Sequence, residues 1–213
     1  MKFFLLLLLV PALAHAGSWF SFEAGVGVAR SKDMGDGIWV QQGAPNNYEK
    51  LDTPIWLAGI TGDATEHLAW HADYVYIGTI TAGCTCTAND PDYNPRTHQI
   101  IGNPTDFGQF GGQGHTQGVA LTLEPNYMYK GVRLGVEAGP FLYWSTWHEL
   151  AVFKSSPVNA NHRTVPQLGA VLGASVGIKD WHIAYRYFYQ RQKWNPYPGL
   201  VTGTHTLMLI KKF

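Results

Sequence analysis

The chain has 213 residues with 15 basic and 15 acidic side chains, so its formal net charge at pH 7 is zero. This balance excludes the strong positive field of a nucleic-acid-binding domain, and the length fits one domain. Charged residues form only 14% of the chain, whereas soluble domains carry about 25%. Eight Trp and eleven Tyr accompany this low charge. The composition therefore favours a surface that faces lipid.

The first 16 residues have the pattern of an export signal. One lysine precedes an apolar run from Leu5 to Val10, and small residues stand at Ala14 and Ala16. This order is typical of a secretory signal peptide. We expect cleavage after Ala16, which predicts a signal peptide over 1–16 and a single barrel domain over 17–213.

Eight stretches of alternating apolar and polar residues follow the signal. Each stretch predicts a β-strand, because successive side chains of a strand point to opposite faces. The predicted strands cover 19–30, 53–61, 67–77, 118–129, 132–144, 165–178, 181–190 and 202–213. Tryptophan and tyrosine recur on the apolar faces, which is typical of the aromatic girdles at membrane interfaces.

The connectors between the predicted strands alternate in length. Turns of about two to five residues follow the second, fourth and sixth strands, at 62–66, 130–131 and 179–180. Much longer segments follow the first, third, fifth and seventh strands. This alternation predicts an all-β, eight-stranded antiparallel transmembrane β-barrel with short periplasmic turns and long extracellular loops, in the outer membrane of a Gram-negative bacterium. The glycine-rich stretch 104–114 predicts a mobile part of the longest loop.

The polar faces of the strands predict the contents of the lumen. If the apolar faces meet lipid, glycines and a few charged groups lie inside, where charges of mixed sign must pair. The expected lumen network consists of Glu23, His71, Asp73, Glu124, Arg133, Glu137, His182 and Arg186. The alternative architecture is a secreted soluble barrel of the lipocalin type, with an apolar cavity. Gly17-Ser18-Trp19 resembles the Gly-x-Trp sequence that lipocalins carry. That arrangement would leave a glycine-rich, charge-poor surface in water.

The two cysteines, Cys84 and Cys86, fall in a long loop on the oxidising side of the cell. They allow a small-ring or an intermolecular disulfide. A metal site is not predicted there, because no further Cys or His pair completes the ligand set. No cofactor is predicted anywhere in the chain.

The segments 185–192, 195–200 and 204–213 resemble the end of the lipid A 3-O-deacylase family. Those enzymes are eight-stranded outer-membrane barrels that hydrolyse an ester-linked acyl chain of lipopolysaccharide. The family places a His-x-Ser-Asn motif on the penultimate strand, before an Asn/Pro/Gly-rich loop and a last strand ending in Phe. Here the His position is Tyr189 and the Ser position is Arg191, and no acid follows Asp180. The nucleophile, base and acid of an ester hydrolase are therefore missing at the matching positions.

These observations predict a structural or surface-interaction role, exerted through the extracellular loops on an extracellular partner. The alternative is a lipid A or phospholipid acyl-ester hydrolase with a relocated triad, based on His182 or His205, or on a loop histidine. The loop candidates are His98, His115, His148 and His162, and candidate nucleophiles are Ser145, Ser155 and Ser156. We expect contacts with outer-membrane lipids and lipopolysaccharide, recognition of Phe213 by the barrel-assembly machinery, and no nucleic-acid partner.

Overall fold

A computed structural model describes residues 20–32, 48–87, 93–94, 99–100, 107–153, 156–163, 165–190 and 201–213. The expected signal peptide over 1–16 lies outside these ranges. Twelve strands lie within them: β1 (Ser21–Lys32), β2 (Tyr48–Lys50), β3 (Asp52–Thr65), β4 (Leu68–Thr87), β5 (Tyr93–Asn94), β6 (Gln99–Ile100), β7 (Phe107–Tyr129), β8 (Val132–Phe153), β9 (Ser156–Arg163), β10 (Gln167–Ile178), β11 (Trp181–Tyr189) and β12 (Gly203–Lys212). Across the described ranges, no helix has the length and apolar character needed to cross a membrane.

Eight of the strands form a closed antiparallel ring in the order β1, β3, β4, β7, β8, β10, β11 and β12. The last strand returns to the first, with continuous pairing from Glu23 opposite Lys212 to Lys32 opposite Gly203. A closed ring has no free strand edge, so the backbone polar groups of its strands are satisfied without water. The predicted eight-stranded antiparallel barrel is confirmed.

Three short turns join ring strands at one end of the barrel. They lie at 66–67, 130–131 and 179–180, close to the predicted positions. Lys130 and Gly131 have φ angles of 49° and 81°. Positive φ at both central residues is the geometry of the two-residue hairpin turn that matches the twist of the flanking strands. The longer connectors leave from the opposite, extracellular end.

One side of the barrel wall rises far above the other. The upper part of β4 (80–87) pairs with β7 (107–114), β7 pairs with the upper part of β8 (146–153), and β8 pairs with β9. β2 adds three residues on the other flank of β4. We call this assembly the raised sheet. On the low side, β1 ends at Lys32 and β11 at Tyr189.

The raised sheet corrects three expectations. The third and fifth predicted strands were expected to end at 77 and 144, but β4 and β8 continue to Thr87 and Phe153. The fourth was expected to begin at 118, but β7 begins at Phe107 and includes most of the glycine-rich stretch expected to be mobile. The strand is not evident from the sequence there, because glycines have no side chains and so show no apolar alternation. Backbone pairing with β4 and β8 holds that stretch instead.

The two faces of the barrel differ in chemistry. Large apolar side chains stay exposed around the outside, among them Val26, Leu121, Val136, Leu172, Ile183 and Leu207. Inside, an apolar cluster fills much of the lumen, including Ile55, Leu57, Val75, Ile77, Phe141, Tyr143, Phe188 and Met208. The lumen was expected to hold only small and charged groups, so this cluster is a correction. The interior of an eight-stranded barrel is just wide enough for side chains to fill it.

The apolar exterior determines the environment of the barrel. A continuous belt of exposed aliphatic and aromatic side chains on a sealed barrel is stable in a bilayer and not in water. Tyr127, Tyr129 and Trp181 are exposed near the short turns, as interfacial aromatics are. The filled lumen also removes the apolar cavity that a soluble carrier barrel would need. The protein has the fold of an outer-membrane β-barrel.

Candidate functional site

Arg186 on β11 is the centre of the polar lumen network. Its side chain points inward, is almost fully buried and meets two carboxylates from distant strands. Its Nε donates to Oε1 of Glu137 at 2.5 Å, and its Nη1 donates to Oδ2 of Asp73 at 2.8 Å. Thr122 Oγ1 donates to the second oxygen of Glu137 at 3.3 Å. One guanidinium therefore ties β11 to β4 and β8 across the lumen.

His71 on β4 links a second group of acids. Its Nδ1 lies 2.7 Å from Oε1 of Glu23, and its Nε2 lies 3.4 Å from Oε2 of Glu124. Glu124 also accepts from Arg133 Nε at 3.2 Å and from Ser175 Oγ at 3.2 Å. These contacts bridge β1, β4, β7, β8 and β10.

The structure brings most of the expected lumen residues into contact, and their side chains alternate inward as the strand parity indicated. His182 also lies inside, buried beside Gly177, but its Nε2 has no hydrogen-bond partner among the described residues. Sequence reasoning missed Thr122 and Ser175, which donate to the acids. It also missed Asp63, which lies 3.4 Å from Arg133 at the periplasmic mouth. In the sequence, each of these residues alternates in step with the inward-facing side chains of its strand, and this pattern could have identified them.

Glycines make room for the buried acids. A Cβ at Gly135 would lie 2.6 Å from Glu124 Cδ, and one at Gly173 would lie 2.5 Å from Glu137 Oε1. These distances are well inside van der Waals contact. These two inward glycines therefore face the charged network, and each leaves space for a longer side chain on the neighbouring strand.

The network contains donor sets that could approach a cation. One oxygen or nitrogen from each of Glu23, His71 and Asp73 lies within 4.8 Å of the others, and His71, Glu124 and Glu137 form a similar set. Three of these four carboxylates already contact a guanidinium group: Asp73 and Glu137 contact Arg186, and Glu124 contacts Arg133. The fourth, Glu23, contacts His71. The arrangement is chemically an ion-pair network that cross-links the wall of the barrel.

A second apolar cluster lies at the extracellular end of the barrel. Ile80, Ala82 and Trp147 pack with Val201, which lies just before β12, and partly buried Leu51 packs against them. The lumen thus holds a charged layer, an apolar layer and an apolar cluster at the outer mouth. Such a barrel has the interior of a packed protein core.

The positions expected for hydrolase chemistry are spread over different faces. Tyr189 faces outward, and Arg191 lies outside the described residues. His205 also faces outward, where its Nδ1 lies 2.6 Å from the hydroxyl of Tyr185. Ser145 faces the lumen and shares a 2.8 Å hydrogen bond with Thr116. Ser145 and His205 therefore lie on opposite faces of the barrel wall and do not form a catalytic pair with each other.

The remaining candidates have other surroundings or fall outside what is described. The His115 ring lies 5.1 Å from that of Tyr76 on the outer face. His98, Ser155 and the side chains of Ser156 and His162 lie outside the described part of the chain. Cys84 is disulfide-bonded, and the sequence holds one other cysteine, Cys86.

Comparisons with known proteins show only distant similarity. No family model and no curated protein matches the chain. Among solved structures, the attachment invasion locus protein Ail of Yersinia pestis, in complex with the heparin analogue sucrose octasulfate, is 12% identical, with a TM-score of 0.43 over 92% of this chain and 100% of that chain. Neisserial surface protein A is 14% identical, with a TM-score of 0.34 over 92% and 98%. We therefore base the fold on the chain's own strand pairing.

Proposed function

We propose that this protein is a surface-interaction protein, in which a rigid barrel holds the raised sheet outside the membrane for contact with an extracellular partner. The raised sheet is the observation that supports this proposal. The paired segment of β4 from residue 80 to 87 alone extends about 24 Å at strand spacing. Holding a barrel in lipid does not require strands of this length.

The edge of the raised sheet supports a mode of contact. Among the described residues, β9 pairs with β8 on one side and with no strand on the other. An unpaired edge presents a row of backbone donors and acceptors that an extended segment of another chain can join. A partner with an accessible extended segment therefore fits this surface.

The lower part of the barrel supports a role as a rigid base. Ion pairs and the two apolar clusters connect all eight ring strands. Displacement of the raised sheet relative to the membrane would require breaking these buried contacts. A conducting role has less support, because the described lumen is filled by side chains.

Acyl-ester hydrolysis, which the resemblance to lipid A 3-O-deacylases implied, is the weaker proposal. It needs a serine, a histidine and an acid in mutual contact. His205 contacts the hydroxyl of Tyr185, and this contact includes neither a serine nor an acid. Mass analysis of lipid A from cells that overproduce the protein tests this alternative, and loss of a hydroxy-acyl mass would establish it.

A photo-crosslinking amino acid placed at Asn159 in β9 tests the proposed function. On intact cells we expect a discrete adduct with an extracellular protein, identified by mass spectrometry. Once identified, this partner should no longer bind cells whose protein has residues 149–160 replaced by a two-residue turn, with the barrel intact. The control carries the crosslinker at Lys130, which lies in a periplasmic turn and should give no extracellular adduct. Two results would contradict the proposal: no adduct from the crosslinker at position 159, or the same adduct from the crosslinker at Lys130.

A further inference from the structure

A row of polar side chains crosses the lipid-facing surface on the low side of the barrel. The strand register aligns Tyr187 on β11, His205 on β12, Arg30 on β1 and Asp52 on β3. Arg30 Nη1 lies 3.6 Å from Asp52 Oδ2, and the rings of Tyr187 and His205 are 4.7 Å apart. All four of these strands begin or end within two residues of the row, so it lies at the extracellular limit of the lipid face.

Two lysines lie directly above this row. The pairing of Arg30 with Asp52 continues upward through a backbone hydrogen bond from Ser31 N to Leu51 O at 3.0 Å. Extended by one residue beyond this hydrogen bond, the register places Lys32 opposite Lys50, and both are exposed. Like charges on facing positions of neighbouring strands repel each other. An anion between them would remove this repulsion.

Among the described side chains of the extracellular half, Lys and Arg lie on one side of the barrel. Arg30, Lys32 and Lys50 against Asp52 give this face an excess of two positive charges, since Glu49 alternates to the other face of its strand. Outward-facing residues in the extracellular halves of β4, β7, β8 and β10 include no Lys, Arg, Asp or Glu among the described side chains. General snorkelling of lysines at the interface would distribute charge around the whole circumference.

Two grooves run along the lipid face from this charged rim. One, of about 570 Å³, lies between β12, β1 and β3 and is lined by Val28, Pro54 and Leu207 below Arg30. The other, of about 520 Å³, lies over β10 and β11 and is lined by Leu172 and Ala174 below Lys32. Tyr185 and His205 border both grooves. Each groove therefore has a cationic upper end and an apolar floor.

We propose that this rim patch (Arg30, Lys32, Lys50, Asp52, Tyr187 and His205) binds a phosphate group of lipid A in the outer leaflet. The patch faces lipid at the extracellular end, so the lipid beside it belongs to that leaflet. Arg30 and Lys32 pair with the phosphate, while acyl chains follow the two grooves. The two separate grooves accept at least two acyl chains that diverge from one phosphorylated headgroup.

Binding of fluorescent lipid A to the whole protein in mixed micelles tests the proposal. The double variant Arg30→Gln with Lys32→Gln should bind at least about tenfold more weakly, because it lacks the two cations that pair with the lipid phosphate. The control variant Lys130→Gln with Lys211→Gln loses two cations at the periplasmic end and should bind within about twofold of the unaltered protein. A heat-dependent gel shift verifies that both variants form closed barrels.

Competition by three lipids distinguishes the possible sources of the bound phosphate group. Lipid A with its phosphates should compete for the site, whereas dephosphorylated lipid A and phosphatidylglycerol should compete poorly. Equal binding by the rim double variant, or equal competition by dephosphorylated lipid A, would overturn the proposal. Equal competition by phosphatidylglycerol would overturn the assignment to lipid A.

Discussion

Arg186→Met removes the only charged group that joins Asp73 and Glu137 in the described lumen contacts. The side chain is 1% exposed and makes hydrogen bonds of 2.5 and 2.8 Å to the two carboxylates. A hydrogen bond to a charged group contributes about 1.5–3 kcal/mol, so the two together suggest a loss of roughly 3–6 kcal/mol. Breaking a buried ion pair costs about 3–5 kcal/mol, which agrees with that range. We expect the free energy of unfolding to fall by about 4 kcal/mol.

Urea-induced unfolding in phosphatidylcholine vesicles, followed by tryptophan fluorescence, measures this loss. Arg30→Met is the matched control, because its 3.6 Å ion pair with Asp52 is largely exposed and should contribute at most about 1 kcal/mol. Adding Asp73→Asn and Glu137→Gln to Arg186→Met should recover part of the stability, since no buried charge then lacks a counterion. Equal stability of Arg186→Met and the unaltered protein, or no recovery in the triple variant, would refute this reasoning.

Three further predictions concern the wall, the turns and the orientation. Gly135→Ala should lower the urea midpoint in the same assay, because the new Cβ would lie 2.6 Å from Glu124. Gly111→Ala should leave the midpoint unchanged, since the nearest atom to its new Cβ would lie at 3.6 Å. Equal midpoints for the two variants would contradict the packing argument. Lys130→Asn should leave the midpoint unchanged or raise it, because asparagine tolerates the φ of 49° at this turn, and a lower midpoint would count against the turn geometry. An epitope at Asn159 should bind antibody on intact cells and one at Lys130 only after permeabilisation, and the reverse pattern would invert the topology.

The ring of the barrel could be predicted from the sequence because its signals are local. Period-two alternation identifies the spanning part of each strand, and the two-residue turns at Lys130–Gly131 and Lys179–Asp180 identify antiparallel neighbours. The raised sheet could not be predicted in the same way. Its strands include glycine-rich residues 108–114, where pairing between strands supplies the order and side-chain patterning is absent.

The lumen network could be predicted in membership but not in pairing. Parity indicates which charged residues face inward, whereas contacts depend on the stagger of strands that are distant in sequence. Asp73 and Arg186 are separated by 113 positions, and Glu23 and His71 by 48. The apolar lumen cluster was missed because its members alternate with outward apolar residues, so neither face shows a polar contrast.

The rim patch was also missed, although the sequence contained a signal for it. Arg30 shares the parity of Val26 and Val28, and His205 shares that of Leu207. These parities place both polar side chains on the lipid face. Their alignment across neighbouring strands follows only from the register at which β12 closes onto β1.

Spin labels placed singly along β10 test the central claim most directly, namely that the apolar face of a closed barrel meets lipid. The labels replace consecutive residues from Ala170 to Val176 in a background with Cys84 and Cys86 changed to serine, and the protein is reconstituted in vesicles. Relaxation by oxygen, which concentrates in lipid, should alternate with period two and peak at Leu172, Ala174 and Val176. Peaks at Val171 and Ser175 instead, or no alternation, would contradict the lipid-facing barrel.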